Sequence, residues 1–185
     1  DPEIVTGCFY RAWKKRGQFD YTREAWSELV SASFQDFGVI SPECFSAIYE
    51  AFAEPSAWRI FPDVLPALAA LRSANMRMGI ISNWDERLRP LLRALHLSDY
   101  FEEITISHEV GYSKPKRQIF QAAMKALRLP ASQILHVGDG HREDFEGARE
   151  AGFAALLLDR SKARIGGQTI ANLECLLSPE ASRTL

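Results

Sequence analysis

The sequence predicts an α/β protein, in which a parallel β-sheet is covered by helices on both faces and is preceded by an all-helical segment. Two observations lead to this fold class. Only helical periodicities occur before about residue 60, and apolar, strand-like runs then alternate with amphipathic helices. This alternation is typical of repeated β–α–β units, and unbroken apolar runs are typical of strands buried on both faces. We therefore expect a helical segment at residues 1–58 and an α/β core at residues 59–185.

Three helices are predicted in the helical segment. The first begins at Pro2, since proline suits the first position of a helix. Thr22 and Ser41 are the expected N-caps of the second and third helices, because a side-chain hydroxyl can accept a free backbone N–H there. Gly38 ends the second helix and Pro55 ends the third.

The core is predicted to contain five helices and four strands. In chain order they are a helix at 63–73, a strand at 77–82, a helix at 85–95 capped by Asp85, a strand at 103–107, a helix at 115–127, a strand at 134–137, a helix at 142–151, a strand at 154–158 and a weak helix near 171–177.

Composition narrows the range of partners. The 185 residues include 22 Lys and Arg against 24 Asp and Glu, so no basic excess favours nucleic acid or an anionic membrane. The apolar run at 153–158 is far shorter than the roughly 20 residues of a membrane span. The three cysteines are odd in number and lack a CxxC spacing, which favours free thiols in a reducing compartment and hence a cytoplasmic location.

Polar residues follow three of the predicted strands. Ser82 and Asn83 follow the first, Lys114 comes after the second, and Asp139 follows the third, with Asp144 about one helical turn further on. Ligands of an open parallel sheet bind at the carboxyl ends of its strands. Carboxylates suit Mg²⁺, and an ammonium and a hydroxyl suit phosphate oxygens. Each residue alone could simply be a turn or helix-start residue, but a set of this kind after three successive strands favours a site for phosphate and Mg²⁺.

Three strings in the core carry a family resemblance. MGIISNWDERL, GYSKPKRQIFQAA and ILHVGDGHREDFEGAREAGF resemble, in order, the second, third and fourth motifs of the haloacid dehalogenase (HAD) superfamily of phosphohydrolases. The resemblance covers roughly residues 60–160 and implies a Rossmann-like core. The helical start is similar to the cap that such enzymes insert after their first strand.

The resemblance also implies roles for the polar residues. Ser82 and Asn83 would contact the phosphoryl group, and Lys114 would stabilise its charge and that of the nucleophile. Asp139 would bind Mg²⁺, with Asp144 assisting. The implied activity is Mg²⁺-dependent hydrolysis of a small phosphorylated molecule through an aspartyl-phosphate.

The first motif of the family is absent from the sequence. That motif is a strand followed by DxDx(T/V), in which the first Asp is the nucleophile. The candidates before residue 60 are Asp1, Asp20 and Asp36, and none follows an apolar strand or has an Asp two residues on. Because the missing strand is central in the family, we expect the strands that end at Ser82 and before Asp139 to lack a shared neighbour.

Three explanations for the missing motif remain open. The strand could lie upstream, which we favour because the first residue is Asp1 and not methionine. The chain could instead be a truncated or catalytically inactive member that serves as a binding module. Alternatively, another chain, including a second copy, could supply the strand.

Two other activities are less well supported by the same residues. A dehalogenase of this fold needs no Mg²⁺, so the acidic pair Asp139 and Asp144 argues against it. A receiver-type signalling domain lacks a helical cap.

Three aromatic or imidazole side chains lie close to the motifs. His136 is expected to be a core residue within a strand. His141 could contact substrate, and Trp84 could line the mouth of the site or pack under the cap.

Overall fold

The computed structural model describes residues 2–16, 19–161 and 167–177, and its helical segment confirms the three predicted helices. They are α1 (Pro2–Lys15), α2 (Arg23–Phe34) and α3 (Pro42–Ala51). The Thr22 and Ser41 hydroxyls cap α2 and α3 as expected, accepting backbone N–H groups at 3.2 Å in both cases. Stacked indole rings at 6.2 Å, from Trp13 and Trp26, pack α1 against α2.

The core follows the predicted alternation of helices and strands, with one additional short helix and one additional short strand. In chain order its elements are α4 (Val64–Ser73), β1 (Gly79–Ser82), α5 (Leu88–Ala94), β2 (Glu103–Ile106), α6 (Ser107–Val110), α7 (Arg117–Leu127), β3 (Leu135–Gly138), α8 (Gly147–Glu150), β4 (Ala154–Leu158) and β5 (Thr169–Ile170).

The predicted start of the helix after β1 is wrong. Helix α5 begins at Leu88, three residues after Asp85. The Asp85 carboxylate accepts the Arg87 backbone N–H at 3.1 Å and also binds the Arg87 guanidinium. Asp85 is therefore occupied by an ion pair in the preceding turn and does not cap α5.

Other short elements also differ from the sequence prediction. The helix expected at 142–151 is a π-helical turn at His141–Glu146 followed by α8, which is only four residues long. The weak helix near 171–177 is a 3₁₀ turn at Leu173–Leu177. The strand β5 before it has two residues, too few to produce a periodic pattern.

The strands form two separate parallel ladders. Strand β1 pairs with β2, and β3 pairs with β4, which in turn pairs with β5. Among the described residues no strand bonds β1 to β3. This confirms the expectation that the strands ending at Ser82 and before Asp139 have no shared neighbour, and it leaves a gap between the two ladders.

Helix α7 holds the two ladders in one core. It contacts β1 and β2 on one side and α8 on the other. Its Ile119 and Phe120 are fully buried, and Phe153 and Ala155 belong to the same cluster. Burial of side chains of this size contributes about 1.5–3 kcal/mol each. Because α7 packs against both ladders, the loops before α7 and after β3 are brought to the same region.

Within the described ranges, no helix combines the length and the apolar character needed to cross a membrane.

Candidate active site

A buried ion pair occupies the gap between the two ladders. The Lys114 ammonium donates to the Asp144 carboxylate, with Nζ and Oδ1 2.6 Å apart, and to the Ile81 backbone carbonyl of β1 at 2.9 Å. The two side chains are only 12% and 8% exposed. One lysine therefore connects the β1 edge to the turn that follows β3.

The π-helical turn and two glycines direct the Asp144 side chain towards this lysine. A Cβ atom on Gly138 would lie 2.3 Å from the Asp144 Cγ atom, and one on Gly140 would lie 2.9 Å from Oδ2. The Gly140 N–H donates to Oδ2 at 3.0 Å. The loop glycines are thus required because the carboxylate packs directly against the backbone that ends β3.

His136 completes the surroundings of the carboxylate. Its Nε2 lies 2.9 Å from Asp144 Oδ1, and an ionised carboxylate can only accept, so Nε2 donates. Burial by itself raises the pKa of Asp144. The hydrogen bond from His136 and the charge and hydrogen bond of Lys114 outweigh it and hold the pKa of that carboxyl well below its usual range. Asp144 is therefore an anion that Lys114 neutralises.

Ser82 and Asp139 adjoin the backbone that contacts this pair. Ser82 follows Ile81, whose carbonyl binds Lys114, and Asp139 lies between the two glycines that contact Asp144. In the described part of the chain neither side chain is recorded in a hydrogen bond or ion pair, and Asp139 is exposed. Four of the predicted site residues thus gather around one gap, two in an ion pair and two available to a ligand.

The fifth predicted site residue, Asn83, also lies at the gap, but its side chain is bonded to the backbone of Lys114. Its amide oxygen accepts the Lys114 backbone N–H at 2.7 Å, and its amide nitrogen donates to the Lys114 carbonyl at 3.0 Å. The side chain that was expected to face phosphate is therefore directed at the backbone of the lysine.

None of the described candidates for the nucleophile lies in the gap. The Asp20 carboxylate accepts from the backbone and hydroxyl of Thr22, and Asp36 lies 3.9 Å from Arg11 on the helical segment. Asp1 lies outside the described residues. The site therefore holds groups that bind and neutralise charge, without a described carboxylate in position to attack.

The donor set fits a magnesium ion that is only partly held by protein. Over the described ranges, no three His, Cys, Asp or Glu side chains gather into a metal-binding group. Mg²⁺ commonly takes one or two carboxylates and completes its shell with waters and substrate phosphate. The free carboxylate of Asp139 suits that arrangement, whereas Lys114 and His136 already bind Asp144.

Three other residues near the site can be compared with the expectations from the sequence. The sequence predicts His136 as a core residue within a strand, and its bond to Asp144 depends on a π-helical turn that periodicity does not reveal. His141 is exposed and lies 3.4 Å from Glu146. Trp84 packs at 5.0 Å against Trp58, which favours the packing alternative.

The fold and the site together define the class of protein. Two parallel ladders present a hydroxyl, an ammonium and carboxylates at their carboxyl ends, beside a helical segment. The sequence profile of haloacid dehalogenase-like hydrolases matches residues 10–152. The chain belongs to this family of hydrolases.

Known relatives support the same assignment. Haloacid dehalogenase-like hydrolase domain-containing protein 3 of Danio rerio is 30% identical, over 86% of this chain and 71% of its own length. Glyceraldehyde 3-phosphate phosphatase of Methanothermobacter thermautotrophicus is 33% identical, over 55% of this chain and 45% of its own. The matches to the bovine, frog and human proteins of the first name span only 55–58% of those proteins.

Solved structures share the fold. A HAD phosphatase from Thermococcus onnurineus superimposes with a TM-score of 0.69 at 22% identity, covering 93% of this chain and 77% of that one. Dehalogenases superimpose similarly, so the fold alone does not separate the two reactions.

Proposed function

We propose that the chain forms the cap and most of the core of a Mg²⁺-dependent phosphohydrolase that acts on a small phosphorylated molecule. The observation that carries the proposal is the buried Lys114–Asp144 pair at the end of β1, whose last residue is Ser82. A buried ammonium is costly unless a fixed anion compensates it. An enzyme that transfers a phosphoryl group gains from a positive charge already in position, since little reorganisation is then needed.

The proposed nucleophile is an aspartate on a strand between β1 and β3, supplied by a segment outside residues 1–185. Its carboxylate attacks phosphorus, the substrate oxygen leaves as an alcohol after protonation, and water then hydrolyses the aspartyl-phosphate to release phosphate. In this scheme Ser82 donates to a phosphoryl oxygen, and Lys114 offsets the negative charge of the phosphoryl group and the nucleophile.

Asp139 is the proposed carboxylate ligand of the metal. A bound Mg²⁺ would neutralise phosphate charge and orient the phosphoryl group. Asp144 would hold Lys114 at the edge of that site and assist the metal with its remaining lone pairs. The archaeal relative named as a phosphatase supports phosphate chemistry in preference to halide displacement.

The test uses the natural protein, whose first residue and mass are established by N-terminal sequencing and intact mass spectrometry. It is assayed on a panel of phosphate monoesters with Mg²⁺ and with EDTA, alongside Asp139→Asn. We expect phosphate release that needs Mg²⁺ and is lost in Asp139→Asn. Full activity in that variant would exclude Asp139 as the metal ligand.

A second candidate function is a non-catalytic binding module with this fold. The observation that favours it is the lack of a nucleophile in the described part of the gap. A natural protein that binds phosphate analogues, releases no phosphate and carries no aspartate strand would support it. Halide release from a 2-haloacid without Mg²⁺ would instead identify a dehalogenase.

A further inference from the structure

The Asn83 side chain has one amide orientation that satisfies its surroundings. Its oxygen faces the Lys114 N–H at 2.7 Å, and its nitrogen faces the Lys114 carbonyl at 3.0 Å. A flipped amide would place donor against donor and acceptor against acceptor. Asn83 therefore makes two complementary hydrogen bonds to the backbone of a single residue.

The two hydrogen bonds from Asn83 hold the backbone of Lys114, whereas the ion pair with Asp144 holds only the ammonium at the end of its side chain. The ammonium is held by Asp144 and by the Ile81 carbonyl. A lysine side chain has four carbons and large rotamer entropy, so the ammonium position also depends on where the backbone lies. Asn83 follows β1 directly, and it ties the Lys114 backbone to the same strand that binds the ammonium through Ile81.

The helical segment brings a buried tyrosine close to the Asn83 side chain. Tyr21, in the connection between α1 and α2, is buried and has a positive φ of 64°. Burial raises the pKa of the Tyr21 hydroxyl, and the neighbouring Asn83 side chain and the Arg16 charge partly offset this rise. The helical segment thus comes close to Asn83 at the end of β1.

We infer that Asn83 is a positioning residue, which fixes the Lys114 ammonium by clamping the Lys114 backbone to the end of β1. Its part in catalysis rests on the proposed phosphohydrolase function, whereas its effect on Lys114 does not. Asn83 acts through the lysine and need not touch substrate.

The first test measures how well Lys114 is protected from acylation. The natural protein and Asn83→Ala are treated with an acylating reagent, and the labelling rate of each lysine is followed by peptide mass spectrometry. We expect slow labelling of Lys114 in the natural protein and faster labelling in Asn83→Ala. Lys116, which is exposed and two residues away, is the internal standard and should not change.

A matched variant separates a local effect from a general loss of stability. The Asn172 amide oxygen also accepts a backbone N–H, from Cys175 at 3.2 Å, but it lies on a different loop. Asn172→Ala should leave Lys114 protected. If Asn83→Ala does not fold by circular dichroism, Asn83→Asp replaces it, since it keeps the acceptor and loses the donor.

The second test compares kinetic constants. Displacement of a catalytic group by about 1 Å can lower the rate about 100-fold, so kcat should fall by about that factor in Asn83→Ala while KM changes little. Unchanged Lys114 labelling in a folded Asn83 variant would overturn the inference. An inactive natural protein in which Asn83→Ala still exposes Lys114 would overturn only the proposed function.

Discussion

At the scale of single residues, the charge of Asp144 is the most consequential property of the site. Its carboxylate is 8% exposed and bonded to Lys114 and His136, which hold its pKa below the usual range. The folded state therefore binds a proton less readily than the unfolded state, whose carboxyl titrates near pH 3.9. The resulting stability is fully present above the unfolded pKa and is lost as pH falls towards the lower folded pKa.

Asp144→Asn should therefore destabilise the protein most at neutral pH. Loss of one partner from a buried pair costs about 3–5 kcal/mol, and we expect a loss at the lower end because asparagine keeps the shape. The difference from the natural protein should shrink as pH falls below about 4. Urea unfolding at several pH values measures this.

A control for this prediction is Glu102→Gln. Glu102 also has a pKa lowered by a hydrogen bond from an arginine, Arg77, but that pair is exposed. Its substitution should change the free energy of unfolding little at any pH. An Asp144→Asn variant with the same acid sensitivity as the natural protein would contradict the pKa argument.

At the scale of elements, local signals in the sequence predicted most helices and strands. The hydroxyl caps at Thr22 and Ser41 were sufficient to predict the starts of α2 and α3. The apolar run at 154–158 was sufficient to predict β4. Local signals did not predict the turn at 141–146, because a π-helical turn has no distinctive periodicity. They also did not predict the start of α5, because Asp85 forms an ion pair with Arg87 and does not cap the helix. The structure places the residues chosen from strand ends around one gap, and their roles stay predictions; the contact of His136 with Asp144 was not predicted because it depends on that turn.

Two helix glycines should respond oppositely to the same substitution. Alanine is more favourable than glycine within a helix by about 1 kcal/mol. A Cβ atom on Gly7 in α1 would meet an Arg11 side-chain atom at 3.6 Å, an ordinary contact. One on Gly147, at the start of α8, would lie 2.8 Å and 2.9 Å from Pro115 Cβ and Cα. Gly7→Ala should therefore raise the free energy of unfolding of the protein slightly.

Gly147→Ala should destabilise by about 1–3 kcal/mol, the usual cost of overpacking. It should also lower the phosphatase activity proposed above, since Pro115 follows Lys114 and moves with it. Thermal unfolding and kcat of both variants test this together. A stabilised Gly147→Ala protein would mean that α8 can shift away from Pro115 without cost.

At the scale of the whole molecule, the helical segment is attached to the core through a buried polar contact. The Asp85 carboxylate, fully buried after β1, binds the Arg87 guanidinium at 2.6 Å and accepts from the Tyr49 hydroxyl of α3 at 3.3 Å. Arg87 also stacks 3.3 Å over the Tyr49 ring. The rings of Trp58 and Trp84 pack with their centroids 5.0 Å apart, and their fluorescence can report on this contact because Trp84 precedes Asp85.

Loss of the Arg87 charge should loosen the helical segment from the core. In Arg87→Met a fully buried carboxylate loses its cation, at a cost of about 3–5 kcal/mol. Tyr49→Phe removes one hydrogen bond and keeps the ring, so a destabilisation of about 1 kcal/mol is expected.

Arg23 also lies over the Tyr49 ring, at 4.6 Å, but pairs with Glu50 inside the helical segment, so Arg23→Met is the matched control. Urea unfolding, tryptophan emission and limited proteolysis between residues 52 and 63 should all change most in Arg87→Met. If Arg23→Met and Arg87→Met behave alike, the contact does not hold the two parts together.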